Sequence, residues 1–139
     1  MQAQGELKVS TRGKGLYEIT REVSRWVSAQ NIQTGLLTVF IQHTSASLII
    51  QENADPDVRR DLTEFFERLA PESTPWFRHT TEGSDDMPSH IRAALTAPQL
   101  SIPVRGGRAA LGTWQGIYVF EHRSESQVRH VLMHISGDS

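Results

Sequence analysis

The spacing of hydrophobic residues changes along the chain, and each spacing predicts a different secondary-structure element. Alternation over residues 6–11 predicts a first strand, and the glycines of residues 12–15 predict a turn after it. Helical spacing then predicts a helix that ends near Gln30, on the residues Leu16, Ile19, Val23, Trp26 and Val27. β-Branched residues predict an extended segment over 48–51 and, before it, a strand over 36–43 with one face formed by Leu37, Val39, Ile41 and His43.

The clearest helix start is Asp55-Pro56-Asp57, where an acid that can cap the helix precedes a proline at the first helical position. The stripe predicted to be buried on this helix consists of Val58, Leu62, Phe65, Phe66 and Leu69. A short strand is predicted over 76–80. A short helix is predicted over 87–95, which places His90 about one turn from its start.

The C-terminal third of the chain alternates and predicts mainly strands. These cover residues 100–104, 109–123 and 128–136. A two-glycine hairpin turn over 105–108 joins the first two strands, and residues 124–127 form another turn. The pattern predicts one α+β domain over residues 1–139, in which two or three helices flank an antiparallel sheet system.

The composition narrows the classes of protein to which the chain can belong. Its 139 residues, 37% hydrophobic and 22% charged, are typical of a globular domain. No hydrophobic run approaches the ~20 residues that a membrane helix needs, and residues 1–10 do not resemble a signal peptide. The absence of cysteine excludes disulfides and thiolate ligands and favours a cytoplasmic location. A net charge of −2 gives no electrostatic reason to expect nucleic acid binding.

Residues 79–90, His-Thr-Thr-Glu-Gly-Ser-Asp-Asp-Met-Pro-Ser-His, hold the densest group of side chains that could bind a metal. Around the glycine, which lets the backbone turn tightly, lie His79, Glu82, Asp85, Asp86 and His90. Imidazole nitrogen and carboxylate oxygen are ligands of zinc and similar divalent ions. The helical H-E-x-x-H spacing is missing, so a polar loop with surface histidines fits this segment equally well.

His43 ends a predicted strand on its apolar face, where a histidine is more often a hydrogen-bonded core residue than a ligand. The hydroxyls of Thr44, Ser45 and Ser47 follow it. Neighbours in sequence seldom form a catalytic Ser-His pair, and the G-x-S-x-G motif is absent. Nucleophilic hydrolysis is therefore disfavoured.

His122 lies near the end of the predicted strand 109–123, on a face with Trp114, Tyr118 and Phe120, so a packed aromatic face also explains this segment. One shared site is nevertheless favoured, because a strand or helix meets a polar turn at each of His43, His79, His90 and His122. His130 and His134 lie roughly 13 Å apart on the last strand and cannot bind one ion together. Structural or surface roles are expected for both.

Five short motifs follow one another along the chain: His43-Thr-Ser-Ala-Ser, Glu52-Asn-Ala-Asp-Pro-Asp-Val-Arg, His79-x-x-Glu-Gly-x-Asp-Asp-Met-Pro-x-His, Ile102-Pro-Val-Arg and Leu111-Gly-Thr-Trp-Gln-Gly-Ile-Tyr-x-x-Glu-His-Arg. In this order they resemble the YjbQ family, whose members are often described as secondary thiamine-phosphate synthases. The resemblance runs from Leu7 to Gly137. It implies a compact α+β fold with an antiparallel β-sandwich-like core, a homotrimer, and a histidine-lined pocket for a divalent metal.

The resemblance also implies roles for individual residues. The candidate metal ligands are His79, His90 and His122, and zinc is the expected metal. The same pocket is lined by the candidate catalytic residues His43, Glu52 and Asp86. The candidate substrate contacts are Ser45, Arg105, Trp114 and Gln115.

The reaction implied by the resemblance joins hydroxymethylpyrimidine pyrophosphate to thiazole phosphate and releases pyrophosphate, as a main or a side activity. A metal and the guanidinium of Arg105 or Arg108 could neutralise the leaving group, and Trp114 or Tyr118 could stack on an aromatic ring. The sequence leaves a second hypothesis open, namely a non-catalytic, metal-stabilised trimeric module that binds a small anionic metabolite.

Overall fold

A computed structural model describes residues 1–139 and contains eight strands and three helices. In chain order the elements are β1 (Gln2–Arg12), β2 (Gly15–Glu18), α1 (Thr20–Ser28), β3 (Thr34–Ile41), β4 (Ala46–Glu52), α2 (Pro56–Leu69), α3 (Asp86–Leu95), β5 (Gln99–Arg105), β6 (Arg108–Ala109), β7 (Gln115–Glu121) and β8 (Ser126–Asp138). The strands form a five-stranded sheet in the order β1-β8-β3-β5-β6 and a three-stranded sheet in the order β2-β7-β4. All pairings are antiparallel.

The hydrophobic core is formed by side chains of both sheets together with one face of α1. The large sheet contributes residues of β3, β5 and β8, and the small sheet contributes residues of β4 and β7. Along β3 the buried positions are Leu37, Val39 and Ile41, which is the alternation that the sequence predicted. Val23 and Val27, one helical turn apart, bury the face of α1 in the same core. No helix is long and apolar enough to span a lipid bilayer.

The first predicted helix begins later than the sequence suggested. Leu16 lies in β2, opposite Phe120 of β7, and α1 begins at Thr20. The side chain of Thr20 fixes this junction, because its Oγ1 accepts a hydrogen bond from the backbone N–H of Ile117. Residues Leu16 and Ile19 fitted helical spacing only because a strand and a helix happen to join there.

The start of α2 is confirmed, but its predicted burial is wrong. Asp55 caps the helix by accepting a hydrogen bond from the backbone N–H of Asp57, and Pro56 occupies the first turn. No residue of α2 is fully buried, and Phe65 and Leu69 are 57% and 51% exposed. Helical spacing identified an apolar face, but it could not show that this chain covers that face only in part.

Two predicted strands are absent or shorter than expected. Residues 76–80 form turn and irregular structure, and the segment predicted as one strand over 109–123 divides into β6, a connecting loop and β7. The loop is closed locally, since the side chain of Gln115 accepts a hydrogen bond from the backbone N–H of Gly112. The hairpin turn over 105–108 and helix α3 are confirmed.

A buried ion pair joins the two sheets. Glu121 at the end of β7 contacts Arg129 of β8, and both side chains are almost completely buried. The Nε of Arg129 donates to Oε1 of Glu121 over 2.7 Å. The hydroxyl of Thr11 in β1 donates to the same oxygen over 2.6 Å. Backbone amides satisfy Oε2, which accepts hydrogen bonds from the N–H groups of His122 and Arg123.

We predict that Glu121→Ala lowers the free energy of unfolding by about 3–5 kcal/mol, because it leaves the charge of Arg129 buried without a partner. Urea unfolding of the purified protein measures this change. Glu64→Ala is the control, since Glu64 pairs with Arg68 on the exposed surface of α2 and its loss should change stability by less than about 0.5 kcal/mol. Equal stability of the two variants would contradict the structural role of Glu121.

Candidate functional site

Three side chains that can bind a metal converge at the start of α3. Asp86 is the first residue of this helix, His90 lies one turn later on the same face, and His79 lies in the preceding loop. Oδ2 of Asp86 is 2.6 Å from Nε2 of His79 and 3.1 Å from Nε2 of His90. One ligand atom from each of the three residues lies within 4.8 Å of the others, and we call this set the His79–Asp86–His90 group.

The hydrogen bond made by Nδ1 of His90 determines whether Nε2, which faces Asp86, carries a proton in the neutral ring. Nδ1 of His90 is 2.9 Å from the carbonyl oxygen of Thr44, which can only accept. The proton of a neutral His90 therefore lies on Nδ1, and the Nε2 lone pair points at a carboxylate oxygen. Two acceptors in this position require a cation between them, either a proton on the ring or a metal ion. A backbone carbonyl behind a histidine is also the usual support of a metal-binding imidazole.

Arg123 fixes the orientation of Asp86. Its Nη1 donates to Oδ1 of Asp86, and its Nε donates to Asp85 over 3.1 Å. Burial raises the pKa of Asp86, but the hydrogen bond from His79 and the charge of Arg123 outweigh it, so the pKa lies below its usual value. Asp86 is therefore ionised near neutral pH and leaves Oδ2 directed at the two histidines.

The loop before α3 has the tight turn that its glycine suggested. Gly83 adopts a φ of +102°, a region that favours glycine, and its carbonyl accepts a hydrogen bond from the backbone N–H of Asp86. Asp85 turns away from the group and accepts hydrogen bonds from the backbone and hydroxyl of Ser124. Glu82 contributes its backbone carbonyl to Arg123. Asp86 is thus the one carboxylate of the motif that joins the histidines.

Two cavities adjoin the His79–Asp86–His90 group. One has a volume of about 350 Å³ and is lined by His43, Thr44, Ala46, His90, Ala93, Ala94, Thr96 and Pro98; we call it the His43 cavity. The other, of about 220 Å³, is lined by His79 and by hydroxyl-bearing and apolar residues of the loop before α3. Each cavity thus reaches one histidine of the group, and His43 is the other titratable residue in the first cavity.

His122 does not join the group. Its ring is 1% exposed, its Nε2 is 3.0 Å from the hydroxyl of Ser47, and its Nδ1 has no hydrogen-bond partner. Of the three expected histidine ligands, the structure therefore brings His79 and His90 together beside Asp86 and places His122 apart from them. Alternation placed His122 on a strand face but could not show how deeply that face is buried.

His43 and Ser45 lie together beside the ion pair of Glu121 and Arg129. Nε2 of His43 accepts a hydrogen bond from the backbone N–H of His130 over 2.9 Å. The hydroxyl of Ser45 accepts one from Nη2 of Arg129 over 3.0 Å. Both predicted site residues are thus close to each other, and His43 shares a cavity with His90.

The remaining candidates lie elsewhere in the chain. Glu52 is the last residue of β4 and pairs with Gln115. It lies roughly 20 Å along the strand from Ala46, which is the first residue of β4 and lines the His43 cavity. Its carboxylate accepts a hydrogen bond from the backbone of Asp55 and does not line the His43 cavity. The expectation that Glu52 lines the histidine pocket is therefore wrong within one chain.

None of the predicted substrate contacts, Ser45 included, lines the His43 cavity. Trp114 is 63% exposed in the loop before β7, and Arg105 lies exposed at the β5–β6 hairpin. Gln115 is tied to that loop by its hydrogen bond to Gly112. A residue that sequence reasoning missed is Arg123, whose position next to His122 in the fifth motif was the available signal.

The two histidines of β8 have separate polar partners. His130 contacts Glu6 over 2.8 Å, and His134 contacts Gln4 over 3.0 Å. Neither belongs to the His79–Asp86–His90 group.

We predict that His122 makes stability depend on pH. Burial, followed by the charges of Arg92 and Arg129, lowers the pKa of His122 from 6.5 to about 3. Between these values the unfolded chain binds more protons than the folded protein, so the free energy of unfolding falls as the pH falls, by up to about 1.4 kcal/mol per pH unit. Urea unfolding between about pH 6.5 and about pH 5 should therefore give a smaller slope for His122→Gln than for the wild type. Equal slopes would show that His122 is accessible to protons in the folded state.

Comparison with known proteins finds one family along almost the whole chain. A family model described as UPF0047 protein YjbQ-like matches residues 5–138. A UPF0047 protein of Synechocystis is 51% identical, over 99% of this chain and 93% of its own. The YjbQ protein of Escherichia coli O157:H7 is 39% identical, over 97% and 98%.

Solved structures confirm the predicted α+β fold. A hypothetical protein of Aeropyrum pernix superposes with a TM-score of 0.88 and 29% identity, covering 98% of this chain and 99% of its own. A conserved hypothetical protein of Thermus thermophilus gives a TM-score of 0.82 and 36% identity, covering 93% and 97%. On its sequence and its fold, the chain belongs to the YjbQ family.

Proposed function

We propose that this protein is a metal-dependent enzyme that binds a divalent cation, zinc, through His79, Asp86 and His90 and acts on a small phosphorylated metabolite. The observation that carries the proposal is the convergence of one possible ligand atom each from His79, Asp86 and His90 within 4.8 Å of one another. A cation between these atoms would take the place of the ring protons that otherwise join the two histidines to Asp86.

The donor set fits zinc. Two imidazole nitrogens and one carboxylate oxygen are a ligand combination of catalytic zinc sites, in which a further position stays open for water or substrate. Sulfur ligands, which are typical of closed structural sites, are absent from a chain without cysteine. The carbonyl of Thr44 would orient His90, and Arg123 would orient Asp86.

The reaction that we propose is the one that the family resemblance implies, the transfer of a hydroxymethylpyrimidine group to thiazole phosphate with release of pyrophosphate. A bound metal would supply positive charge to the departing pyrophosphate. The His43 cavity adjoins the group, and its volume of about 350 Å³ lies within the range of small-molecule sites. His43 is the titratable side chain there that is free of the metal and can contact the substrate.

We also propose a homotrimer. The family resemblance implies this assembly, and apolar side chains that the single chain leaves largely exposed support it: Phe65, Leu69, Trp76 and Leu95. In such a ring, residues remote from the histidines within one chain, including Glu52, could meet a neighbour's site.

A specific observation favours the second hypothesis, a non-catalytic module that binds an anionic metabolite. A transferase needs a general acid or base, and within one chain Glu52 lies remote from the group while Asp86 is committed to the histidines. His43 alone is left for that role, and its Nε2 already accepts a hydrogen bond from the backbone of His130. If neither His43 nor another chain supplies the acid or base, binding without turnover is the better description of the site.

We predict that His79→Ala, Asp86→Ala and His90→Ala each reduce bound divalent metal by at least about tenfold, because each removes one of three ligands. Elemental analysis after dialysis against zinc measures the content per chain. His134→Ala is the matched control, since its ring contacts Gln4 outside the group and its loss should leave the metal content unchanged. If all three variants retained the metal content of the wild type, the proposed metal site would be contradicted.

We predict that His43→Ala slows product formation by ~10²–10⁴-fold while metal content stays at the wild-type level, because His43 contacts the substrate rather than the metal. The assay follows thiamine phosphate made from the two phosphorylated heterocycles, with metal-stripped protein alongside. Product formed as fast by the variant, or by the stripped protein, would show that turnover is incidental to this site and would favour the binding module.

A further inference from the structure

The ring of His43 is held in one tautomer by its backbone contact. The N–H of His130 lies 2.9 Å from Nε2, and because an amide nitrogen can only donate, Nε2 carries the lone pair. The ring proton is therefore on Nδ1. Burial, followed by the charge of Arg129, lowers the pKa of His43, so the ring is neutral at physiological pH.

This tautomer places two donors face to face. Nδ1–H of His43 lies 3.3 Å from Nη1 of Arg129, and a guanidinium has no acceptor. The other nitrogens of Arg129 are satisfied, since Nε bonds to Glu121 and Nη2 bonds to Glu121 and Ser45. Nη1 contacts no protein acceptor, so His43 Nδ1 and Arg129 Nη1 are neighbouring donors that both lack an oxygen.

The surroundings suit an oxygen that comes from a ligand. His43 lines the His43 cavity, and no carboxylate side chain is among the residues that line it. Thr44 and Thr96 add hydroxyls, and His90 of the metal group forms another part of the wall. Glu121 offsets the charge of Arg129. The two donors would therefore select an oxygen atom mainly by the directions of their hydrogen bonds and less by its net charge.

We propose that Nδ1 of His43 and Nη1 of Arg129 together bind one oxyanion of the substrate, a phosphoryl or carboxylate group, where His43 forms the wall of the His43 cavity and Arg129 lies directly behind it. This inference deepens the proposed function, because it rests on the same site and states where the anionic end of the substrate is held. It assigns to Arg129, which no motif singled out, a direct contact with the ligand.

The first test uses wild-type, full-length, zinc-loaded protein labelled with ¹⁵N and needs no variant. Two-dimensional NMR of the histidine ring nitrogens should show the Nδ1–H tautomer for His43, and added phosphate should shift this nitrogen and the Arg129 side chain. A parallel titration with acetate distinguishes the sources: a stronger response to phosphate identifies a phosphoryl group, and the reverse identifies a carboxylate. An Nε2–H tautomer, or no response to either anion, overturns the proposal.

The second test compares phosphate affinity among variants by calorimetry. His43→Ala and Arg129→Lys should each weaken binding by about tenfold or more, because each removes one donor to a charged oxygen. Lysine retains a positive charge beside Glu121, and the wild-type NMR result stands if that variant does not fold. His134→Ala should bind phosphate like the wild type, since its ring contacts Gln4. Unchanged affinity in His43→Ala overturns the proposal.

Metal content measured on the same samples separates this inference from the proposed function. If the wild-type protein holds zinc but binds neither anion, the oxyanion site is overturned and the metal site is supported. His90→Ala protein that loses zinc but still binds phosphate through His43 supports an oxyanion site that forms without the metal.

Discussion

The buried pair of Glu121 and Arg129 is the interaction on which the architecture of the site depends. It joins the end of β7 in the small sheet to β8 in the large one, where both charged side chains are almost completely buried. A charge in such a place is tolerated only with a partner and a full set of hydrogen bonds, and each oxygen of Glu121 accepts more than one. The pair therefore fixes the relative position of two sheets that share no strand pairing.

Both sides of the candidate site are built outward from this pair. On one side, Glu121 accepts the backbone N–H of Arg123, whose guanidinium in turn orients Asp86 toward the histidines. On the other side, Arg129 contacts His43 and Ser45. The His79–Asp86–His90 group and the donors of His43 and Arg129 thus both depend on this ion pair, although they come from distant parts of the sequence.

The sequence predicted those features that depend on local spacing and missed those that depend on depth and distance. The cap at Asp55 and the helix carrying His90 could be read from neighbouring residues, and a helical offset of four places Asp86 beside His90. His122 was misplaced because alternation identifies a strand face but not how many layers cover it. Glu52 was misplaced because it lies at the far end of β4 from Ala46, and six residues of an extended strand span roughly 20 Å.

The two groups of side chains in the candidate site lie on different elements of the fold, and this bears on how a substrate would be recognised. The His79–Asp86–His90 group comes from one loop and the first turn of one helix, so its ligand geometry is local and its cation would be bound whether or not a substrate is present. The donors of His43 and Arg129 belong to the sheet side of the site, where His43 lines the cavity and no protein oxygen accepts from His43 Nδ1 or Arg129 Nη1. A substrate with an anionic end and a second group that binds metal would span the cavity and engage both. A molecule with one such group would satisfy only one side, so a site that bound both a cation and an oxyanion in this way would favour substrates that carry both groups.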